Sequence, residues 1–129
     1  VLDLAIVLEA LESSRLRRVR AWAEPLLLIA PFSHAVAERD RVSLKEIATE
    51  RFILAHSGPF PGYATQIERL LDRYQVRSAG HTTVKHQNTM VSFTAAGRGL
   101  SLLPESIAQG LTTVAVVPLA EEDAELVSW

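Results

Sequence analysis

Strand-length apolar runs alternate along this chain with single helix-period segments, and that alternation restricts it to the α/β class. Leu2 to Leu8 and Leu26 to Pro31 are strand candidates, the second apolar enough to be buried on both faces. Ser43, with Glu46 three residues on, has the spacing of a capping box and opens a short helix. Arg51 to Ala55 is the next strand, and His56 to Gly62 packs two glycines and two prolines into a loop. Ile67, Leu70, Leu71 and Tyr74 fall at i, i+3, i+4 and i+7, which predicts an amphipathic helix from about Tyr63 to Tyr74. His81 to Val84 is a polar strand. A helix from about Gln87 to Ala96 follows, with Met90, Phe93 and Thr94 on one face and Gly97 at its end. Leu100 to Leu103 is a buried strand halted by Pro104, Ser106 to Gln109 a short helix, and Thr113 to Leu119 a strand whose Pro118 suits an edge or strand end. Strands joined by single helices predict right-handed crossovers and a mostly parallel sheet with helices on both faces.

At 129 residues the chain can bury roughly two thirds of its unfolded surface, so it needs no disulfide or structural metal, and it has no cysteine for either. No apolar run approaches the roughly 20 residues of a membrane helix. The net charge of −2 argues against a nucleic-acid surface, and the one basic run, Arg15, Arg17, Arg18 and Arg20, is diluted by Glu9, Glu12 and Glu24. The strand-like ends, VLDLAIV and AELVSW, read as cut from a longer chain.

Parallel sheets bind ligands outside the carboxyl ends of their strands, which singles out two places. The first is the loop His56 to Gly62, feeding a helix whose first turn holds Gly62, Tyr63 and Ala64. Free N–H groups there, with the positive end of the helix dipole, form a seat for a carboxylate or phosphate, although glycine and proline can equally serve only to turn the chain. The second is the polar string Lys85, His86, Gln87, Asn88 and Thr89 at the start of the next helix, where Asn88 or Thr89 either caps the helix or bonds a ligand. No nucleophile elbow, HExxH, Walker loop or GxGxxG is present, and Gly97-Arg98-Gly99 follows a helix rather than a strand. His34, His56, His81 and His86 lack zinc-ligand spacing. The expectation is therefore no catalytic residue, no metal and no cofactor.

Five segments stand out in order: LDLAI at Leu2 to Ile6, EPLLLIAPFSHAVA at Glu24 to Ala37, VSLKEIATERFIL at Val42 to Leu54, TAAGRGLSLLPES at Thr94 to Ser106 and the closing AELVSW. Together they resemble one family, the LysR-type bacterial transcriptional regulators, in their effector-binding domain, with Ala35 standing where that family usually has proline. The resemblance implies a periplasmic-binding-protein type II-like fold of two α/β lobes, with a small effector between them and two crossing strands as hinge. Residues 1–21 would be a truncated lobe one, 22–120 a nearly complete lobe two, and 121–129 a strand crossing back, with Glu24 to Leu28 as the other crossing strand. It further implies effector contacts from Ser57, Phe60, Pro61, Gly62, Tyr63, Gln87 and Asn88, with Phe60 and His86 to Met90 lining the cleft and the Tyr63 hydroxyl altering it. The implied setting is a cytoplasmic regulator, homodimeric or homotetrameric through its effector domains, reaching promoter DNA only through a winged helix-turn-helix outside this sequence. A transport solute-binding protein is the alternative on the same fold. With lobe one cut, the chain alone is expected to be oligomeric or aggregation-prone.

Overall fold

The computed structural model describes residues 22–55, 61–76 and 80–128. The strand read at Leu2 to Leu8, the arginine run, His56, Ser57, Phe60 and Trp129 lie outside them. Strand β1, Trp22–Ala30, organises the rest. Its second half carries consecutive apolar residues, and Leu28, Ile29 and Ala30 are all fully buried, as a strand covered on both faces requires. This half lies between β4 (Ser101–Pro104) and β5 (Ala115–Pro118), antiparallel to both, with Leu28 opposite Leu102 on one side and Val117 on the other. Its first half pairs instead with β6, Glu125–Ser128, antiparallel from Trp22↔Ser128 to Pro25↔Glu125. One strand thus belongs to a three-stranded layer at one end and a two-stranded ribbon at the other.

Strands β2 (Phe52–Ala55) and β3 (His81–Val84) form a separate parallel pair, Phe52↔His81 through Ala55↔Val84. A parallel bridge joins Phe52 to Leu100. There Leu100 N–H donates to Arg51 O and Ile53 N–H to Leu100 O, both at 2.8 Å. Through it the strands read β3-β2-β4-β1-β5, and only β1 runs against the others. The expectation of a mostly parallel sheet is corrected at β1. The connection from β1 to β2 holds only two four-residue 3₁₀ turns, Ala35–Glu38 and Leu44–Ile47, and no crossover helix to bring β1 in parallel. The Ser43 capping box is present at the second turn, where Glu46 Oε2 accepts the Ser43 N–H at 2.8 Å. Pro118 closes the edge strand β5, where its missing N–H costs no ladder bond.

Helix α1, Pro61–Arg73, opens on a proline, whose absent N–H is one of the four that have no intrahelical partner anyway. Ile67, Leu70 and Leu71 are buried, as their spacing predicts. It ends in a Schellman motif, with Val76 N–H to Leu71 O at 2.9 Å and Gln75 N–H to Asp72 O at 3.1 Å, and Gln75 in the left-handed region at φ 55°. Helix α2, Gln87–Ala95, ends the same way over Gly97 at φ 80°, with Arg98 N–H to Phe93 O at 3.0 Å. Glycine takes that conformation without strain and glutamine does not. Gln75→Gly is therefore expected to stabilise the chain by about 0.5–1 kcal/mol, read from the midpoint of a urea melt. Gly99 has a different role, since a Cβ there would stand 3.0 Å from the Arg51 carbonyl oxygen that anchors Leu100. The Gly-Arg-Gly sequence thus serves helix termination and strand contact. Helix α3, Glu105–Ala108, is a single turn after β4.

The core is one cluster, in which Leu26, Leu28, Ile29, Leu44, Ile47, Phe52, Ile53, Met90, Leu100, Leu102 and Leu103 are essentially inaccessible. Within it, Thr94 and Ser101 satisfy each other through a 2.8 Å hydroxyl contact while Thr94 donates to Met90 O at 2.8 Å.

Candidate functional site

Strands β2 and β3 are in register at their carboxyl ends, Ala55 opposite Val84, and each delivers the chain into a helix. The N-termini of α1 and α2 therefore open at the same edge of the parallel pair, where α/β sheets hold ligands. Helix geometry leaves the first N–H groups of each without an intrahelical acceptor, and both helices point their positive dipole ends at this edge. Neither helix has an acidic residue in its first turn to neutralise that field.

The head of α1 is packed inward, with Gly62, Tyr63 and Ala64 all buried. Tyr63 is 7% exposed, and its hydroxyl donates to the Leu102 carbonyl oxygen at 2.5 Å. Burial pushes its phenol far above the usual range, so it stays neutral and holds that bond. This corrects the reading of the Tyr63 hydroxyl as an element of the pocket. The side chain ties α1 to β4. Tyr63→Phe is expected to lower stability by about 1–2 kcal/mol, the cost of one buried hydrogen bond, as a shift in denaturation midpoint.

The head of α2 is open. Its N-cap is His86, in extended conformation, whose carbonyl accepts the N–H groups of Thr89 and Met90 at 3.1 Å each, while among the described residues no side chain caps the helix. The expectation that Asn88 or Thr89 caps α2 is thus corrected. The helix starts at Gln87, which places both residues inside the first turn, past the position from which a side chain folds back onto its N–H groups. Gln87 and Asn88 are exposed and among the described residues their main-chain N–H groups meet no acceptor. Lys85, just before them, is exposed too. Met90 is 2% exposed and belongs to the core, so it drops out of the predicted cleft lining.

Of the predicted effector residues, the structure brings Pro61, Gly62, Tyr63, Gln87 and Asn88 to one sheet edge, while Ser57 and Phe60 lie outside the described residues. That His86 of this polar string is the N-cap escaped a reading by residue type, because histidine is not a preferred N-cap; only the extended backbone before Gln87 marks it. Among the described residues no group of three or more His, Asp or Glu side chains is placed to hold a metal, and no helix is long and apolar enough to cross a membrane.

The sequence pattern of the LysR substrate binding domain matches residues 1–129. The chain is 33% identical over 107 residues to the HTH-type transcriptional regulator YnfL of Escherichia coli K12, a match covering 82% of this chain and 36% of that protein. It is 30% identical over 106 residues to YybE of Bacillus subtilis, another HTH-type transcriptional regulator, covering 81% of this chain and 35% of the relative. The chain thus spans about a third of the length of the relatives it matches. Among solved structures, the BenM effector binding domain with its effector benzoate superposes with TM-score 0.83 at 22% identity, over 95% of this chain and 57% of that one. The effector binding domain of QuiR in complex with shikimate gives 0.70 at 19%, over 85% and 52%. At those identities the likeness establishes the fold.

Proposed function

The chain belongs to the LysR substrate-binding domain family, and from that premise we propose that it is the sensing part of a DNA-binding transcriptional regulator, taking a small carboxylate or aromatic acid at the paired heads of α1 and α2. The observation that carries this reading is the register of β2 and β3, which brings two helix N-termini without acidic residues or a described side-chain cap to the same carboxyl edge of the parallel pair. Two such termini offer an acid several N–H donors and a favourable field without a formal cation. The benzoate and shikimate of the two structural neighbours are acids of this kind.

On this reading residues 22–120 are lobe two, residues 1–21 are part of lobe one, and 121–129 return toward it, so the second wall of the cleft is lobe one. The β1–β6 ribbon is the hinge. An acid that binds one arrangement of the lobes more tightly shifts the population toward it, and a dimer or tetramer built through these domains passes the shift to its DNA-binding domains. The regulator relatives support this over transport solute binding or catalysis, and a protein acting on promoter DNA works in the cytoplasm. Gly62→Pro in the full-length regulator deletes one donor in a helical turn that accepts proline. Calorimetric titration with benzoate and shikimate, run below the variant's own unfolding midpoint because Gly62 is buried and the added ring costs packing, should then give at least about tenfold weaker binding, the loss of a charge-assisted hydrogen bond.

A further inference from the structure

In the antiparallel ribbon of β1 and β6, alternate residues turn their main-chain groups away from the partner strand. Leu26 N–H donates to Ala124 O at 2.9 Å, which sets that alternation and leaves Val127, opposite Ala23, facing outward. Both of its outward groups are taken by one side chain. Gln66 Nε2 donates to Val127 O at 2.9 Å, and Val127 N–H donates to Gln66 Oε1 at 2.8 Å. The amide of Gln66 stands where the peptide group of a further strand would stand. Gln66 lies in α1 four residues after Gly62, one turn along the same face. At its far end α1 is joined to the approach to β6 as well: Arg73 Nη1 bonds Asp123 Oδ2 at 2.5 Å, and the Tyr74 hydroxyl donates to Asp123 Oδ1. Those contacts are exposed and weak individually, whereas the Gln66 pair is half-buried and reciprocal. The ribbon's other strand is held independently, with Glu24 Oε1 accepting the Ser106 N–H at 3.0 Å and its hydroxyl at 2.6 Å.

We infer that Gln66 is a positioning residue linking the anion seat to the hinge, so that movement of the head of α1 is passed to β6 through the Gln66 amide. The inference rests on the sensing role proposed above. A ligand that draws the head of α1 toward itself moves Gln66 with the helix, because one turn of a hydrogen-bonded helix does not stretch. Val127 must follow or give up two hydrogen bonds. Strand β6 then shifts against Glu24-anchored β1, and the angle at which the chain leaves the ribbon changes. A residue that served only to cover a strand edge would contribute stability and transmit nothing.

The test uses the full-length regulator and amide hydrogen exchange of residues 124–128. In the wild type, saturating benzoate or shikimate should change that exchange by about fivefold, the scale of one hydrogen bond. Gln66→Met keeps the length and removes both bonds. It should bind the same acid within about threefold of wild type, since the two bonds it gives up go to Val127 and not to a helix-head N–H, while its exchange no longer responds to the acid. An unchanged response in Gln66→Met overturns the inference. Should that variant misfold, Gln66→Glu, which keeps an acceptor for the Val127 N–H and loses the donor, should show a reduced response, and a full one overturns the inference. A ligand-free arm separates failure here from failure of the sensing role. Tyr63→Phe loosens the head of α1 and should speed exchange at 124–128 by about threefold with Gln66 present, and leave it unchanged when combined with Gln66→Met. If neither acid binds the wild type, the proposed ligand class falls and this arm alone decides; additive effects of the two substitutions overturn the link.

Discussion

Phe52→Ala should cost about 3–5 kcal/mol of folding stability, the largest effect expected of any single truncation here. Phe52 is among the largest fully buried side chains, 1% exposed, and it starts the strand that connects the two parts of the sheet. Its backbone pairs with His81 on one side and bridges to Leu100 on the other, and its amide donates to Gly80 O at 3.2 Å. The ring stands on one face of the sheet inside the core cluster, and the backbone beneath it is paired on both sides, which limits collapse into the cavity. A domain of this size has only about 5–15 kcal/mol in total, so the variant should sit near its unfolding midpoint. A urea melt checks this. The midpoint should fall steeply with the slope unchanged, whereas a loss under about 1 kcal/mol would mean the junction is not packed as described.

Asn88→Asp should push stability and binding in opposite directions. The side chain lies exposed in the first turn of α2, which carries no acidic residue. A carboxylate there meets the positive end of the helix dipole and should raise stability by about 0.3–1 kcal/mol. The same charge repels an acid seated at that edge. At about 5 Å and an effective dielectric constant near 40, the repulsion is about 1.7 kcal/mol, or roughly twentyfold in affinity. Since asparagine and aspartate have the same shape, a steric account of any loss is removed. The measurement pairs a thermal melt with benzoate titration of the full-length regulator at low and high salt, where the loss in affinity should shrink as salt rises. Tighter binding, or a parallel fall in stability and affinity, would place the acid elsewhere.

Much of this architecture was legible in the chain because burial periodicity is a local signal. The run from Leu26 to Pro31 reads as a two-face buried strand, and the Ile67, Leu70, Leu71 spacing as a helix packed on one side; both are so. Strand direction was not legible. Nothing in the residues of β1 distinguishes parallel from antiparallel pairing, which depends on how the chain returns through two 3₁₀ turns. At the site, the glycine and proline punctuation before α1 and the polar string before α2 were visible. That they meet at one edge follows only from the register of β2 and β3. The role of Tyr63 was misjudged, because a tyrosine in a ligand-facing turn and one bonded into the core look alike in sequence until Leu102 is brought beside it. Gln66 gave no signal, since amphipathic periodicity weighs apolar residues and its partner stands 61 positions away.

The central claim is that the paired heads of α1 and α2 seat a small acid. Isothermal titration of the full-length regulator with benzoate, shikimate and their carboxamide analogues tests it most directly. Saturable binding of at least one acid is expected, lost on conversion of the acid to its neutral amide and weakened in both Gly62→Pro and Asn88→Asp. Absence of binding by either acid up to millimolar concentration, or equal binding of acid and amide, would contradict it.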